Sequence, residues 1–178
     1  MALLGIDIQI GAFDGKLLPP IHMGDHLLRQ MQTLIDAARD THALIIYIQH
    51  CAAEGLLVKG TAAWAIHPST TPINGEHVIE KRASSAFEGT TLGQTLNDER
   101  IRTIIVCGLQ SEHCVLNTAL DAMRRGMKVY VASDAHSTWP DGETSATETI
   151  EQINKELAES GALVAPTQAI VSMLQSRA

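Results

Sequence analysis

The sequence predicts an α/β domain in which a parallel sheet is covered by helices, and three observations lead to it. Apolar strand-like runs alternate along the chain with amphipathic helical patterns, as repeated βαβ units with right-handed crossovers require. One run, Arg102–Cys107, reads as a continuous apolar strand buried on both faces and passes through Gly108 into a helical pattern at Cys114. The 178 residues, with 45% apolar side chains and a mean hydropathy near zero, are sufficient for one compact domain spanning 1–178.

Taken in order, the first strand is expected at Leu3–Ile8, a helix at Leu27–Arg39 and a second strand at Ala43–Gln49. Between Cys51 and Thr71 the periodicity fades into Ala, Gly, Thr and Pro, a long connection of the kind that often carries function. A short apolar run at Val78–Lys81 is followed by small residues. After the strand at Arg102–Cys107, Val115, Leu116, Ala119, Ala122 and Met123 share one helical face, and Gly126 closes that helix behind Arg124 and Arg125. A strand at Lys128–Ala132, a helix at Thr144–Ser160, a strand at Ala162–Ala165 and a packing helix at Thr167–Gln175 complete the alternation. The apolar residues of that last helix cover more than one face, which leaves subunit contact open.

Several functional classes are excluded at this stage. A net charge of −7, with Lys16, Lys59 and Lys128 scattered, supplies no basic face for nucleic acid. The apolar opening Met1–Ile6 lacks a basic leader, is interrupted by Asp7 and is too short to cross a bilayer, so it reads as a strand and not as a membrane or export signal. Three cysteines without paired spacing favour a reduced, cytoplasmic setting over a disulfide framework. No glycine-rich dinucleotide or phosphate loop is present, and His50, His67 and His77 form none of the short ligand spacings that mark zinc or iron.

Candidate chemistry concentrates at the ends of the expected strands, where open α/β sheets bind ligands. Cys114 opens a helix, where unpaired first-turn amides and the macrodipole would stabilise a thiolate and receive an oxyanion; packing is the competing explanation. Asp7 interrupts an otherwise buried strand, so it either has a cationic partner or caps a turn. Lys81 is the natural partner, unless it is a solvated charge at a strand end. Cys51 and Cys107 read as small buried hydrophobes. His136, after Asp134, either closes a pocket or accepts a turn hydrogen bond. Of the six aromatics, Phe13, Trp64, Phe87 and Trp139 fall in connections or at strand ends, where some could line an apolar pocket.

Three segments in order, Ile6-Asp7-Ile8-Gln9, Glu80-Lys81-Arg82-Ala83-Ser84-Ser85-Ala86-Phe87 and Gly108-Leu-Gln-Ser-Glu-His-Cys114-Val115 with Thr118–Ala122 behind it, resemble the isochorismatase-like cysteine hydrolases over nearly the whole chain. The resemblance implies a three-layer fold with six parallel strands, and a catalytic trio of Asp7, Lys81 and Cys114. It also implies a non-proline cis peptide between Gln110 and Ser111, and oxyanion donors at the backbone of Ser111 or His113 and of Cys114. A homodimer or homotetramer acting on a small molecule without a cofactor is the expected assembly. Where the metal-dependent nicotinamidase branch carries Asp-x-His, this chain has Gln49-His50-Cys51, so no metal is expected. Phe13, His50, Trp64 and Phe87 are expected to line the substrate pocket together with the Gln110–His113 turn.

The activity expected on these grounds is hydrolysis of a small amide, carbamoyl or lactam C–N bond through a thioester at Cys114. Asp7 would act as general acid and base, with Lys81 as its electrostatic support. The alternatives are isochorismatase-type vinyl ether hydrolysis, which needs the acid more than the thiol, and a non-catalytic binding module.

Overall fold

In the computed structural model, which describes residues 1–176, a six-stranded parallel sheet forms the centre. Along the chain run β1 (Ala2–Ile6), α1 (Gly24–Asp40), β2 (Leu44–His50), β3 (His77–Lys81), α2 (Leu92–Asp98), β4 (Thr103–Leu109), α3 (Leu116–Arg124), β5 (Lys128–Ser137), α4 (Ala146–Glu159), β6 (Leu163–Ala165) and α5 (Thr167–Gln175). The strand order is β3-β2-β1-β4-β5-β6, with every neighbouring pair parallel. The order reverses between β1 and β4, the place where a doubly wound sheet opens a crevice beyond its strand ends.

The two-residue period of the strands sorts the core into two layers. Leu4, Ile6, Ile46, Ile48, Val106 and Val131 face one side and pack on Leu92 and Leu96 of α2, Ala119 and Ala122 of α3, and Ile153 and Leu157 of α4. Leu3, Ile45, Tyr47, Ile105 and Cys107 face the other, against Leu27, Met31, Leu34 and Ile35 of α1 and Ile170, Val171 and Leu174 of α5. At roughly 25 cal/mol per Å² of apolar surface removed from water, these two layers supply the main driving force for folding. Among the described residues, no helix is long and apolar enough to cross a membrane.

Four departures from the sequence reading bear on the site. β1 stops at Ile6 because Asp7 takes a left-handed backbone, φ 54°, and turns the chain out of the sheet. β5 runs on to Ser137, so Asp134 and His136 lie within a strand. The helix expected at Cys114 begins earlier, with a π-helical turn at Ser111–Val115 that feeds α3. The cis peptide lies between Leu109 and Gln110, one bond before the Gln110–Ser111 position the resemblance implied.

Gly108 is obligatory in this arrangement. Its φ of 121° lies outside the range most side chains tolerate, and a Cβ there would collide with the carbonyl of Ile6. That close approach lets β4 run beside the last residue of β1 while the ladder to β5 shifts register between Val106 and Gly108.

Candidate active site

Three strand ends deliver the three residues singled out for catalysis to one point. Asp7 follows β1, Lys81 is the last residue of β3, and Cys114 sits in the turn after β4. The Lys81 ammonium lies 2.7 Å from Asp7 Oδ2, 3.1 Å from Cys114 Sγ, 3.1 Å from His50 Nδ1 and 3.3 Å from the carbonyl of Ala83. The Lys81 side chain is 0% exposed and that of Asp7 7%, so Lys81 is not the solvated terminal charge that the sequence also allowed, and Asp7 has a cationic partner. A buried lysine needs such neighbours, because an isolated ammonium away from water is prohibitively costly.

The electrostatics follow from this packing. Burial opposes the Lys81 charge, yet Asp7 and Cys114 beside it more than compensate and raise its pKa, so it remains an ammonium. Burial lifts the Asp7 carboxyl above its ordinary range, with Lys81 pulling the other way. The Cys114 thiol is pushed up to about 11, first by burial and then by the Asp7 charge, against the opposing pull of Lys81. Desolvation thus outweighs the pull of the ammonium, which favours the thiol and agrees with the expected need for a base to take its proton. Asp7 Oδ1 is buried and has no hydrogen-bond partner among the described residues.

The turn that carries Cys114 is anchored from behind. Both His113 N–H and Val115 N–H donate to the carbonyl of Gln110, at 3.2 and 3.1 Å. The His113 amide is thus engaged, which removes it from the expected oxyanion donors. Ser111, fully buried, places Oγ 2.8 Å from His136 Nδ1, and His136 Nε2 lies 3.0 Å from Asn154 Oδ1. Because Asn154 Nδ2 donates to Ser133 O, its Oδ1 accepts; His136 then carries its proton on Nε2, and the Ser111 hydroxyl donates to Nδ1. Of the two readings open for His136, pocket wall or turn acceptor, the contact with Ser111 is the second: its buried ring accepts from the turn that carries Cys114.

Above the trio opens a cavity of about 470 Å³, large enough for a small organic molecule, whose walls include Leu18, Leu56, Leu57, Leu109 and Trp139. Asp7, His50, Ser84, Gln110, His113 and Cys114 supply its polar lining. Of the expected pocket residues, His50, Gln110 and His113 line the cavity, and three aromatics make other contacts. Phe87 is 7% exposed in the core layer beneath α2, with Arg125 over its ring. Phe13 packs against His67 with ring centroids 5.0 Å apart. Trp64 donates from Nε1 to Cys51 Sγ at 3.3 Å. Trp139 is the aromatic that lines the cavity, held by an Nε1 bond to Pro19 O at 2.6 Å.

Sequence reasoning passed over Gln9, although it stands in the first motif. Its amide receives His50 N–H at 2.9 Å and donates to His50 O at 3.1 Å and to Trp64 O at 2.7 Å, tying the long connection to β2. A polar side chain two residues beyond Asp7 was the available signal. Leu56 and Leu57 come from the aperiodic 51–71 connection, where no pattern marks an inward-facing side chain.

A metal fits poorly here. Donor atoms of Asp7, His50 and Cys114 lie within 4.8 Å of one another, yet the Lys81 ammonium touches all three and supplies the positive charge at their centre. A divalent cation added to this donor set would have to displace a buried lysine.

Fold and site define a doubly wound α/β domain with a cysteine and a buried ion pair at its strand ends. The sequence model of the isochorismatase domain matches residues 1–162, and the chain belongs to the isochorismatase family. It is 34% identical over 139 residues to a streptothricin hydrolase of Streptomyces noursei, a match covering 78% of this chain and 54% of that protein. The chain spans about half the length of the two streptothricin hydrolases it matches. An N-carbamoylsarcosine amidase of Arthrobacter sp is 36% identical over 94 residues, covering 52% and 35% of the respective chains. The crystal structure of an isochorismatase from Pseudomonas putida KT2440 superposes with a TM-score of 0.89 at 29% identity, over 94% of this chain and 88% of that one.

Proposed function

We propose that this protein hydrolyses the C–N bond of a small amide, carbamoyl compound or lactam through a thioester on Cys114. The observation that carries the reading is the single ammonium of Lys81, 2.7 Å from Asp7 and 3.1 Å from Cys114, at the base of a cavity of small-molecule size. The streptothricin hydrolase and the N-carbamoylsarcosine amidase among its relatives support C–N bonds as the target.

In this reading Asp7 Oδ1 takes the Sγ proton as sulfur attacks the carbonyl carbon. Oxygen charge gathers at the backbone N–H groups of the turn, with Ser111 and Cys114 as the candidates. When the C–N bond breaks, Asp7 returns the proton to the departing nitrogen. A water then attacks the thioester, giving a proton to Asp7, and the acid leaves as the thiol is restored. One water is consumed; an acyclic substrate releases one acid and one amine or ammonia, and a lactam, whose nitrogen stays tethered, releases a single amino acid. Lys81 keeps Asp7 ionised at the start of each half-reaction. Acid–base help of this kind typically contributes ~10²–10⁴-fold and an oxyanion donor ~10²–10³-fold.

The vinyl ether alternative has no specific support in the geometry: that reaction has no need of a thiol in contact with both charged partners. We further propose that the domain acts on a small molecule in a reducing cytoplasm as a homodimer or homotetramer, with neither nucleic acid nor membrane as a partner. Light scattering of the purified protein tests the assembly; a monomer would refute it. Incubation with a panel of small amides, ureas and lactams, scored for ammonia or acid release and for a Cys114 acyl adduct by mass spectrometry, tests the activity. Release with an adduct is expected, and turnover of vinyl ethers alone would overturn the reading.

A further inference from the structure

His50 holds a position that the hydrolytic scheme leaves without a task. Its Nδ1 faces the Lys81 ammonium at 3.1 Å. An ammonium has donors only, so Nδ1 must accept, and a neutral imidazole that accepts at Nδ1 carries its proton at Nε2. Burial first, and the Lys81 charge second, hold the ring in its neutral form against the weaker pull of Asp7. The backbone of His50 is held on both its N–H and its carbonyl by Gln9, which fixes the point from which the ring projects.

The surroundings determine what such a donor can serve. His50 lines the cavity above the trio among Leu56, Leu57, Leu109 and Trp139. Neither an arginine nor a lysine is among the lining residues, and the buried Lys81 ammonium is taken up by Asp7, Cys114 and His50. A substrate carboxylate at this point would meet the Asp7 charge with no lysine or arginine in the lining to balance it, a costly burial that the neutral polar groups of Ser84 and Gln110 do not offset. An uncharged acceptor oxygen would meet the imidazole N–H at little cost.

We propose that His50 Nε2–H is a specificity-determining hydrogen-bond donor that selects amides bearing a second, uncharged acceptor oxygen close to the scissile carbonyl. The inference rests on the C–N hydrolase reading for its kinetic consequence, but the proton position and its ligand can be measured without turnover. Lys81 fixes which nitrogen of the ring is protonated, and the protonated nitrogen fixes which substrates are preferred.

The kinetic test uses acetoacetamide and butyramide, which differ by a ketone oxygen two carbons from the amide carbonyl. Wild type should favour acetoacetamide about tenfold in kcat/KM, the effect of one net hydrogen bond. His50→Gln keeps a donor near the Nε2 position and should retain that preference. His50→Asn keeps an acceptor for Lys81 near the Nδ1 position, loses the donor and should abolish the preference; an unchanged preference in His50→Asn overturns the proposal. In the second test, nitrogen-15 NMR of histidine-labelled wild type should show His50 protonated on Nε2. Acetoacetamide should shift that nitrogen and butyramide should not. A proton on Nδ1, or no response to tens of millimolar acetoacetamide, overturns the proposal whether or not either amide is cleaved. Failure of both amides to be hydrolysed, with the NMR response present, would count against the hydrolase reading alone.

Discussion

Lys81 Nζ lies 2.7 Å from Asp7 Oδ2, joining the last residue of an outer strand to the residue that follows a central one. Both side chains are buried, so each is the condition for the other's charge. Replacing Lys81 by methionine keeps the length of the side chain but strands a carboxylate away from water. A destabilisation of about 3–5 kcal/mol is expected, and urea unfolding monitored by circular dichroism measures it. The double variant Lys81→Met/Asp7→Asn should recover much of the loss, because no uncompensated charge remains.

The thiol of Cys114 offers a test with a definite sign. With its pKa pushed up to about 11, about one part in a thousand is thiolate at pH 8. Iodoacetamide labelling should accelerate steadily from pH 7 to pH 10 without reaching a plateau. Asp7 is one of the causes of the upward shift, so Asp7→Asn should speed alkylation at pH 8 severalfold, while removing Lys81 should slow it. Plateau reactivity near pH 7 would show a resting thiolate and contradict the assignment.

Activity should fall on the acid side as well. Asp7 must be ionised to take the thiol proton, and burial raises its pKa above the ordinary carboxylate value. The acid limb of kcat/KM is therefore expected at a higher pH than an exposed aspartate would give. In a pH–rate profile, a limb at or below the ordinary value of about 3.9 would contradict this.

Ser111 and His136 should act on the nucleophile only through its turn. Ser111→Ala leaves His136 Nδ1 buried without a partner, at a cost of about 1–3 kcal/mol. Thermal denaturation measures the loss. Since Asn154 still holds the other ring nitrogen, the fold should survive while turnover drops.

Gly108→Ala should be severe. The new Cβ would meet the backbone of Ile6, which cannot yield because it is paired on both sides in the sheet. Soluble expression and melting temperature report the effect, and a melting temperature within a few degrees of wild type would show that the strands separate more easily than their ladder implies.

How far the sequence could be read depended on where periodicity survives. α5 was expected with its observed limits, and β4 within two residues, because α5 carries a helical apolar pattern and β4 is a buried run with no alternation to misread. α2 was missed because it is only seven residues long, with Leu92 and Leu96 as its buried anchors. β3 has just Ile79 and Lys81 buried, and a strand whose inward residue is a lysine does not look like core.

At the site, Asp7, Lys81 and Cys114 were legible as chemistry in strand-end positions, but their meeting depends on the β3-β2-β1-β4 order, which local pattern does not encode. Phe87 was misplaced because the chain after Lys81 dives under the sheet, and its ring is spent on the core. Leu56 and Leu57 could not be foreseen, since a loop side chain points inward only once the loop has folded over its neighbours.

The measurement that bears most directly on the central claim is steady-state hydrolysis of the best amide from the panel by purified Cys114→Ala beside wild type, with unfolding curves showing both proteins folded. In the proposed route the sulfur forms the bond that splits the reaction in two, so the variant should fall to the uncatalysed background. Hydrolysis within tenfold of wild type by folded Cys114→Ala would contradict a covalent route.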